Sequence, residues 1–506
     1  MRLGLPALLL VGATLLCAGA PSPTEAAARR HGQVRVFEVC RHGCRFQTVQ
    51  RAVDAAGSFQ FRRRHRRRTR AVVAVRPGRY PEGVVIDGTL PRKRFDDLTI
   101  EGTRESPRRV VLDGRRARRA GGPAQNGIEA IGVEGLVLRN MWARNYASSG
   151  FLLRGPDPGA PRCEAYRMEN LLASGNASYG LSAEGCVGGR IVGSVAYRQG
   201  EAAFHVGETP CDRSSWSNHG VSPRSCQREA RWTLLHDDRG YESGLGFSGT
   251  NSKYVKVVDS AFYDNGTGIA TATVDGAGVE PAGWTVLERN LVFWNDYDRY
   301  LSGSRLPAAP GLLGQLDGAA VSYPTGVGIL LYGAAHVFVR NNDVFGNDKW
   351  GIASVSAPGE AFVADVGDDA KSLDNQIVEN RFGREGADPN GEYDLWNDAS
   401  GGGNCWGGNS PRASFAPGNG SVPTSRIYPL CPQPEVTADE VRSLDLSAGL
   451  QLDPSRPSDP RTFFGYATAY PPQDQQCSWA RDAGHPAFQR FKPVEVTPLP
   501  GELACG

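Results

Sequence analysis

One histidine and several charged residues have side chains that can carry out acid–base chemistry. His205 follows a short apolar run, and Asp237 and Asp238 form a carboxylate pair further along the chain. An imidazole exchanges protons near neutral pH, and a carboxylate pair can divide the roles of acid and base. Glu184 adds a third carboxylate, and Arg154 could neutralise an anionic group on a ligand. These five residues are the catalytic candidates, provided that the fold brings them together.

A short motif that recurs along the chain predicts the elements that hold these residues. Between Leu136 and Arg154 it consists of an apolar run, an asparagine, a second apolar run, and a glycine followed by alternating residues. The recurring asparagines are Asn140, Asn170, Asn290, Asn342 and Asn380. The glycines recur every 22 or 23 residues, as from Gly127 to Gly150, Gly246 to Gly268 and Gly328 to Gly351.

The length of this repeat indicates a solenoid built from strands. A helical repeat needs about 33 residues or more, and apolar runs of three to five residues are too short for helices. Each unit is therefore predicted to be one coil of an all-β, single-stranded parallel solenoid in which stacked coils bury a shared core. The asparagine suits a bend between sheets, because it tolerates left-handed backbone and can hydrogen-bond its equivalent one coil away. Charged residues before it, such as Arg139 and Asp259, are expected to face solvent and pair between coils.

The alternation after each glycine assigns side chains to the two faces of one sheet. The residues predicted to point inward are Phe151, Leu181, Phe204, Phe247, Ile269, Ile329 and Ile352. The next residue of each segment points outward, which places His205 on the outer face beside Ser182 and Glu184. The insertion from Glu208 to Arg231 and the segment from Leu235 to Glu242 could wall a groove there, since functional residues often lie on loops held by a rigid scaffold.

The two ends of the chain differ in composition from the repeats. Residues 1–28 have a positive start, an apolar core and alanines at 26–28, which predicts a secretory signal and a secreted protein. An amphipathic helix from Arg45 to Ala56 and the arginine-rich run after it make residues 29–70 an N-terminal cap. The solenoid is expected over 71–431 and an irregular tail over 432–506. No later segment reaches the about 18 apolar residues of a membrane-spanning helix, and a monomer is expected.

Ten of the eleven cysteines follow the predicted signal, an even number that suits disulfides in an oxidising compartment. Cys163 and Cys186 lie 23 residues apart, which is one coil, and stacked positions are close enough for a disulfide. Cys211 and Cys226 enclose an insertion. Three further pairs are assigned only because their members are near each other in sequence: Cys40–Cys44, Cys405–Cys431 and Cys477–Cys505.

Several segments resemble the pectin-lyase-like right-handed parallel β-helix superfamily. The N-terminal segments that carry the resemblance are Phe46–Ala56, Pro77–Glu82 and Thr99–Gly102. A closer similarity, to secreted actinobacterial proteins with right-handed parallel β-helix repeats, depends on Gly246–Ser252, Phe293–Asn295, Pro324–Ile329, Gly367–Ala370 and Asp394–Asp398. The resemblance covers about residues 45–410. It implies a right-handed parallel β-helix with a capping helix, and a superfamily of polysaccharide lyases, hydrolases, uronate epimerases and non-catalytic surface proteins.

Two charged segments allow a binding interpretation and a structural one. The run Arg62–Arg70 and later arginines could bind polyanions, or could be solvated loops. Those later arginines are Arg92, Arg94, Arg108, Arg109, Arg115, Arg116, Arg118 and Arg119. Asp365, Asp368 and Asp369 could hold Ca²⁺ through carboxylate oxygens, or could form an acidic turn. Calcium is the only cofactor that the sequence suggests.

The predicted function is recognition of an extracellular, uronate-containing and therefore anionic polysaccharide, with cleavage or epimerisation as an extension. His205 would act as acid or base, and Arg154 would neutralise a uronate. The rival interpretation is a non-catalytic adhesive protein of the cell surface, and in a third His205 is only an exposed strand residue. The chain lacks a close copy of the arginine-rich pectate-lyase motif and a complete polygalacturonase set, which disfavours those two named reactions. No nucleic-acid partner is expected.

Overall fold

A computed structural model describes most of the chain up to residue 431. The described residues are 34–64, 70–103, 106–122, 125–155, 163–211, 228, 231–273, 281–296, 325–355, 371–383, 389–391, 393–397, 401–409, 413–414 and 428–431. The predicted signal, the tail over 432–506, and the residues Cys226, Asp365, Asp368, Asp369, Cys477 and Cys505 lie outside this set.

Three parallel sheets run along the molecule. The first contains β1 (Val34–Val39), β2 (Arg70–Val75), β5 (Thr99–Gly102), β8 (Val137–Arg139), β11 (Arg167–Glu169), β14 (Arg190–Val192), β17 (Thr233–His236), β20 (Lys253–Val258), β23 (Gly283–Glu288), β26 (Phe338–Arg340), β29 (Gln376–Val378) and β32 (Cys405–Gly407). The second contains β3 (Gly78–Tyr80), β6 (Val110–Asp113), β9 (Trp142–Arg144), β12 (Leu172–Ser174), β15 (Val195–Tyr197), β18 (Arg239–Tyr241), β21 (Ala261–Tyr263), β24 (Leu291–Phe293), β27 (Asp343–Phe345) and β30 (Arg381–Phe382). The third contains β4 (Val84–Asp87), β7 (Ile128–Ile131), β10 (Phe151–Arg154), β13 (Leu181–Glu184), β16 (Ala202–Gly207), β19 (Leu245–Thr250), β22 (Thr267–Ala272), β25 (Val327–Tyr332), β28 (Trp350–Val355) and β31 (Tyr393–Asn397).

Each coil contributes one strand to each sheet in turn, and each strand pairs in parallel with the equivalent strands of the neighbouring coils. The fold is therefore an all-β parallel β-helix, as predicted. The second and third sheets each hold ten described strands. No helix in the described part of the chain is long and apolar enough to cross a membrane.

A helix packs against the first coil, as the sequence predicted, although its bounds differ. α1 (Val49–Arg62) contacts β1, β2 and β4 and buries Val49, Ala52, Val53 and Ala56. Thr48 caps its N-terminus, and the carboxylate of Glu82 accepts hydrogen bonds from the amides of Val49 and Gln50 at 2.8 and 3.0 Å. Phe46, which was expected on the helix, instead forms a bridge to Val39 before it. A second helix, α2 (Gly114–Arg119), was not predicted, and a 3₁₀ turn spans Pro107–Arg109.

The predicted register of the third sheet is confirmed. Phe151, Leu181, Phe204, Phe247, Ile269, Ile329 and Ile352 pair in successive strands and lie in the apolar core. The first sheet contributes an equivalent inward row, which includes Leu138, Met168, Ile191 and Leu235. These rows fill the inside of the coils and fix which residues of each strand face outward.

A two-residue pattern turns the chain at the bend between the first and second sheets. The first residue has left-handed backbone, and the second points inward and bonds the next coil. Asn342 shows the inward role: it is fully buried, and its Oδ1 accepts bonds from the main-chain N and the Nδ2 of Asn290 at 2.9 and 3.0 Å. Its own Nδ2 donates to Asn380 Oδ1 at 2.9 Å and to Leu287 O at 2.9 Å.

The recurring asparagines fall into two groups at this bend. Asn140 and Asn170 have the predicted positive φ, 58° and 48°, and Asn170 Nδ2 donates to Asn140 Oδ1 at 2.8 Å. Asn290, Asn342 and Asn380 instead follow the left-handed residue and form the inward ladder. The predicted bonds between asparagines of neighbouring coils are therefore confirmed, whereas the left-handed backbone is found only at the first two. The predicted surface pairs also form, with Arg289 Nε 2.8 Å from Asp259 Oδ1.

A second ladder lies at the bend between the second and third sheets. It runs through Asn176, Gln199, Ser243, Asn265, Asn295, Asn347 and Asn390. On the outer face just before this bend, five aromatic rings stack with centroids 5.0 to 5.1 Å apart. These rings are Tyr197, Tyr241, Tyr263, Phe293 and Phe345. The sequence analysis did not identify this column.

Three of the predicted disulfides are formed. They are Cys40–Cys44, Cys163–Cys186 and Cys405–Cys431. Cys163 and Cys186 occupy stacked positions with Cα atoms 4.7 Å apart, as the one-coil spacing required. Cys211 is disulfide-bonded, while its predicted partner Cys226 and the pair Cys477–Cys505 lie outside the described residues.

Replacing a ladder asparagine should destabilise the whole solenoid. Asn342→Ala removes bonds from the buried amide of Asn290 and the carbonyl of Leu287, which should lower the free energy of unfolding by about 1–3 kcal/mol. The control is Asn341→Gly, because Asn341 is exposed and has a φ of 55°, which glycine adopts freely. Urea unfolding of the three proteins measures the difference, and an equal loss in both variants would contradict the ladder's role.

Candidate functional site

The candidate site lies on the outer face of the third sheet, where β10, β13, β16 and β19 meet. His205 pairs with Ser182 of β13 and Ser248 of β19, and Glu184 pairs with Gly207 of β16 and Arg154 of β10. The alternation of the strands had predicted this juxtaposition. Because the strands are held by hydrogen bonds from both neighbouring coils, the relative positions of these residues are fixed.

The imidazole of His205 is enclosed rather than exposed. It is 5% exposed, and its ring stacks on Tyr179 with centroids 4.3 Å apart and an angle of 6° between the rings. The ring also leans along its own strand over Gly207, where a methyl group would collide with Nε2. The sequence showed neither Tyr179 nor Gly207 as part of the site, because both contacts depend on the direction of the imidazole.

Burial decides the protonation state of His205. Loss of solvation lowers its pKa from 6.5 to about 4, although a hydrogen bond with the main chain of Ser248 favours the charged form. Nδ1 is buried and has no hydrogen-bond partner. His205 is therefore neutral at neutral pH. From the sequence this residue is expected to exchange protons near neutral pH, but its burial moves the titration to more acidic conditions.

Glu184 is the group whose proton exchange falls near neutral pH. Its side chain is half-buried, and burial raises its pKa from 4.5 to about 7. Ser182 Oγ donates to Glu184 Oε1 at 3.0 Å, which favours the ionised form, and Glu208 and Glu201 oppose ionisation by like charge. Arg154 favours it by opposite charge. A carboxyl group of this pKa can either donate or accept a proton at neutral pH.

Two further groups complete the surroundings of this pair. Arg154 is exposed, and its Nη1 lies 3.5 Å from Glu129 Oε1. On the other side, the hydroxyl of Tyr179 donates to Glu201 Oε1 at 2.8 Å, and Ser178 Oγ donates to Oε2 at 3.1 Å. The site thus has a cation at its exposed edge and a fixed aromatic ring at its buried side.

Asp237 and Asp238 do not join this site. They lie at the bend between the first and second sheets, whereas His205 lies on the third sheet. Asp237 has a φ of 56° and is the left-handed residue of that bend. Asp238 is fully buried and belongs to the ladder, where it accepts bonds from the amides of Ser194 and His236 at 2.8 and 3.2 Å. Burial raises its pKa well above the usual range. The two aspartates looked like a catalytic pair in sequence because a bend with a polar ladder residue also favours Asp.

The outer face of the third sheet beyond β19 is apolar and buried. The row that continues from His205 and Ser248 consists of Ala270, Leu330, Ala353 and Trp396. All four are at most 8% exposed and belong to a second apolar cluster. The polar part of this face is therefore confined to the strands around His205. Apolar residues at alternate outward positions after Gly268, Gly328 and Gly351 were the signal in the sequence that could have indicated this.

No group of three metal-ligating side chains occurs within the residues that the structure describes. The predicted calcium ligands Asp365, Asp368 and Asp369 lie outside those residues. Calcium binding therefore stays a prediction.

Neither a protein-family profile nor a curated protein sequence matches this chain significantly. Among solved structures, the A-module of mannuronan C-5 epimerase AlgE6 from Azotobacter vinelandii is 13% identical, with 73% of this chain and 94% of that chain covered and a TM-score of 0.42. Pectate lyase Pel9A is 12% identical, with 85% and 86% covered and a TM-score of 0.37. A mannuronic acid-specific polysaccharide family 6 lyase from human gut microbiota is 11% identical, with 76% and 83% covered and a TM-score of 0.38. At these identities and scores the likeness carries no inference about the function of this chain.

The lowered pKa of His205 predicts a loss of stability in acid. Below pH 6.5 the unfolded chain takes up a proton at His205 that the folded chain refuses until about pH 4, so stability falls as the pH falls through this window. Relative to a His205→Gln variant, the wild type should lose up to about 3 kcal/mol of unfolding free energy between these pH values.

Urea unfolding over this pH range measures the effect as a difference between two curves. The matched control is His42→Gln at an exposed histidine, and it should follow the wild-type curve. Parallel curves for the wild type and His205→Gln would show that the imidazole is not held neutral by the fold.

Proposed function

We propose that this protein acts on a uronate-containing polysaccharide outside the cell, with Glu184 as the catalytic base and Arg154 as the group that binds the uronate carboxylate. The observation that carries the proposal is the pair itself: a carboxyl group with a pKa of about 7 stands one strand from an exposed guanidinium. Three disulfides support an extracellular location, since they persist in oxidising compartments. A monomer is expected.

The reaction that suits this pair is removal of the proton next to the uronate carboxylate. The C–H bond breaks, its proton passes to Glu184, and its electron pair moves toward the carboxylate, whose charge Arg154 offsets. In elimination, this electron pair returns to form a carbon–carbon double bond as the neighbouring glycosidic C–O bond breaks, and the leaving oxygen takes a proton from water. In epimerisation, water instead delivers a proton to the opposite face of the same carbon. Glycoside hydrolysis is less favoured, because the predicted carboxylate pair Asp237 and Asp238 lies at another bend.

His205 and Tyr179 have supporting roles in this proposal. The neutral imidazole lies over Gly207, which pairs with Glu184, and adds no second positive charge there, and the stacked Tyr179 ring fixes its orientation. This surrounding keeps the carboxyl group poorly solvated, which is the main cause of its raised pKa. His205 is therefore a positioning residue, and its replacement should shift the pH profile of the reaction toward acid.

A second candidate function is recognition of the polysaccharide without chemistry. The burial of His205 and of the apolar row beyond Ser248 favours it, because among the described residues of the cluster Arg154 and Glu184 are more accessible to a polymer than the imidazole. Binding that depends on Arg154, with no change in the polymer, would identify this second function.

Replacing Glu184 tests the proposal directly. Glu184→Gln should reduce turnover of polygalacturonate, alginate or hyaluronan by about 100-fold or more, as expected for loss of a general base. The wild-type rate should rise as the pH rises through about 7, because only the ionised carboxylate accepts a proton. Ultraviolet absorbance of unsaturated chain ends measures elimination, and proton NMR of the polymer measures epimerisation.

Glu169→Gln is the matched control. Glu169 belongs to the same coil and is also half-buried, but it lies on the first sheet. Its variant should retain wild-type turnover. Equal rates for Glu184→Gln and the wild type would rule out Glu184 as the base, and binding without any product in the wild type would favour the non-catalytic function.

A further inference from the structure

A patch of exposed arginines lies at the N-terminal end of the solenoid, along the second sheet. Four of them come from the six-residue helix α2, one from β3 and one from the 3₁₀ turn before β6. The arginine patch consists of Arg79, Arg108, Arg115, Arg116, Arg118 and Arg119. Since β3 and β6 pair directly, and the 3₁₀ turn and α2 adjoin the two ends of the four-residue strand β6, the six residues lie around one short strand.

The positive charge of this patch is not neutralised by nearby acids. None of the six arginines forms an ion pair with an acidic residue anywhere in the described coils. Two carboxylates near the patch in sequence, Asp113 and Glu82, are already engaged. Asp113 is buried, caps α2 through the amide of Arg116 at 3.3 Å, and pairs with Arg144 at 3.2 Å. Glu82 binds the N-terminus of α1 through both of its oxygens.

These arginines contrast with those elsewhere on the solenoid. Arg139, Arg289 and Arg381 lie on the strands and bends, and each pairs with a carboxylate of the preceding coil. At these three positions the repeat places opposite charges in adjacent coils. The arginine patch departs from that rule.

α2 presents these charges at a cost to its own stability. Arginines spaced three and four residues apart, such as Arg115 with Arg118 and Arg119, repel each other along one helix surface. The helix is nevertheless fixed in place by its buried residues Gly114 and Ala117. A Cβ atom at Gly114 would lie 2.6 Å from the carbonyl oxygen of Asn145, so the helix start packs directly on the neighbouring coil.

We propose that the arginine patch is an anion-binding surface for a carboxylated polysaccharide. Guanidinium groups bind carboxylates through two parallel hydrogen bonds, keep their charge at any physiological pH, and gain affinity when several engage one polymer. A polysaccharide is favoured over a nucleic acid because the disulfides place the chain in an oxidising compartment. The surface is separate from Glu184 on the third sheet, so this binding does not depend on the catalytic assignment.

Polygalacturonate binding by the full secreted chain tests the patch. A variant with Arg115→Gln, Arg116→Gln, Arg118→Gln and Arg119→Gln should bind at least about tenfold more weakly, and its affinity should depend less steeply on salt between about 50 and about 200 mM. Replacing the same four residues with lysine keeps the charge and should restore most of the affinity. Affinity electrophoresis in polygalacturonate gels, or anisotropy of a labelled polymer, measures the binding.

The matched control neutralises four arginines away from the patch: Arg167→Gln, Arg190→Gln, Arg340→Gln and Arg381→Gln. It has the same change in net charge and should bind within about twofold of the wild type. A folding defect is distinguished by urea unfolding, in which the α2 variant should be at least as stable as the wild type because its repulsion is relieved.

Three outcomes would overturn the proposal. They are equal affinity in the α2 and control variants, equal binding of uncharged dextran, and tighter binding of double-stranded DNA than of polygalacturonate at the same salt concentration. This experiment measures binding, whereas the Glu184→Gln experiment measures turnover, so a failure of the catalytic proposal and a failure of this one give different results.

Discussion

The structure depends on one constraint, which is that each coil must supply hydrogen-bond partners for the backbone groups of the next coil. Parallel strands supply bonds along the sheets, but at the bends the amides would be buried without partners. Inward side chains such as Asn290, Asn342 and Asn380 accept from these amides and donate to carbonyls one coil away. An unpaired buried amide costs about 1–3 kcal/mol. The ladder therefore restricts which residue types can occupy the inward position of each bend.

The same constraint separates the parts of the chain that can vary from those that cannot. Residues on inward rows and ladders are fixed by packing and hydrogen bonds, and this is why Asp238 is structural although its carboxyl group has a strongly raised pKa. Outward residues of the third sheet are free to differ between coils. Four adjacent strands use this freedom for a polar cluster around His205 and Glu184, and the strands beyond use it for apolar residues such as Leu330 and Trp396.

Charged side chains also divide into those that stabilise the stacked coils and those that do not. Several strand and bend arginines face a carboxylate of a neighbouring coil, as Arg289 faces Asp259. Glu184 and the arginines of α2 depart from this pattern, since burial keeps the one partly neutral and nothing in the described coils offsets the others. Groups held in an unfavourable electrostatic state by a rigid fold are where binding and chemistry are expected.

The sequence by itself determined the coil length, the inward rows, the position of His205 beside Ser182 and Glu184, and the disulfide between Cys163 and Cys186, because each follows from a period and strands have a fixed side-chain alternation. Only the tertiary structure decided which polar residues hold the fold together and which lie in the candidate site. A period does not show that Asp238 turns inward at a bend, that Tyr179 stacks on the imidazole, or that α2 forms after β6. Those outcomes depend on burial and side-chain direction, which are set by contacts between coils rather than by neighbours in sequence.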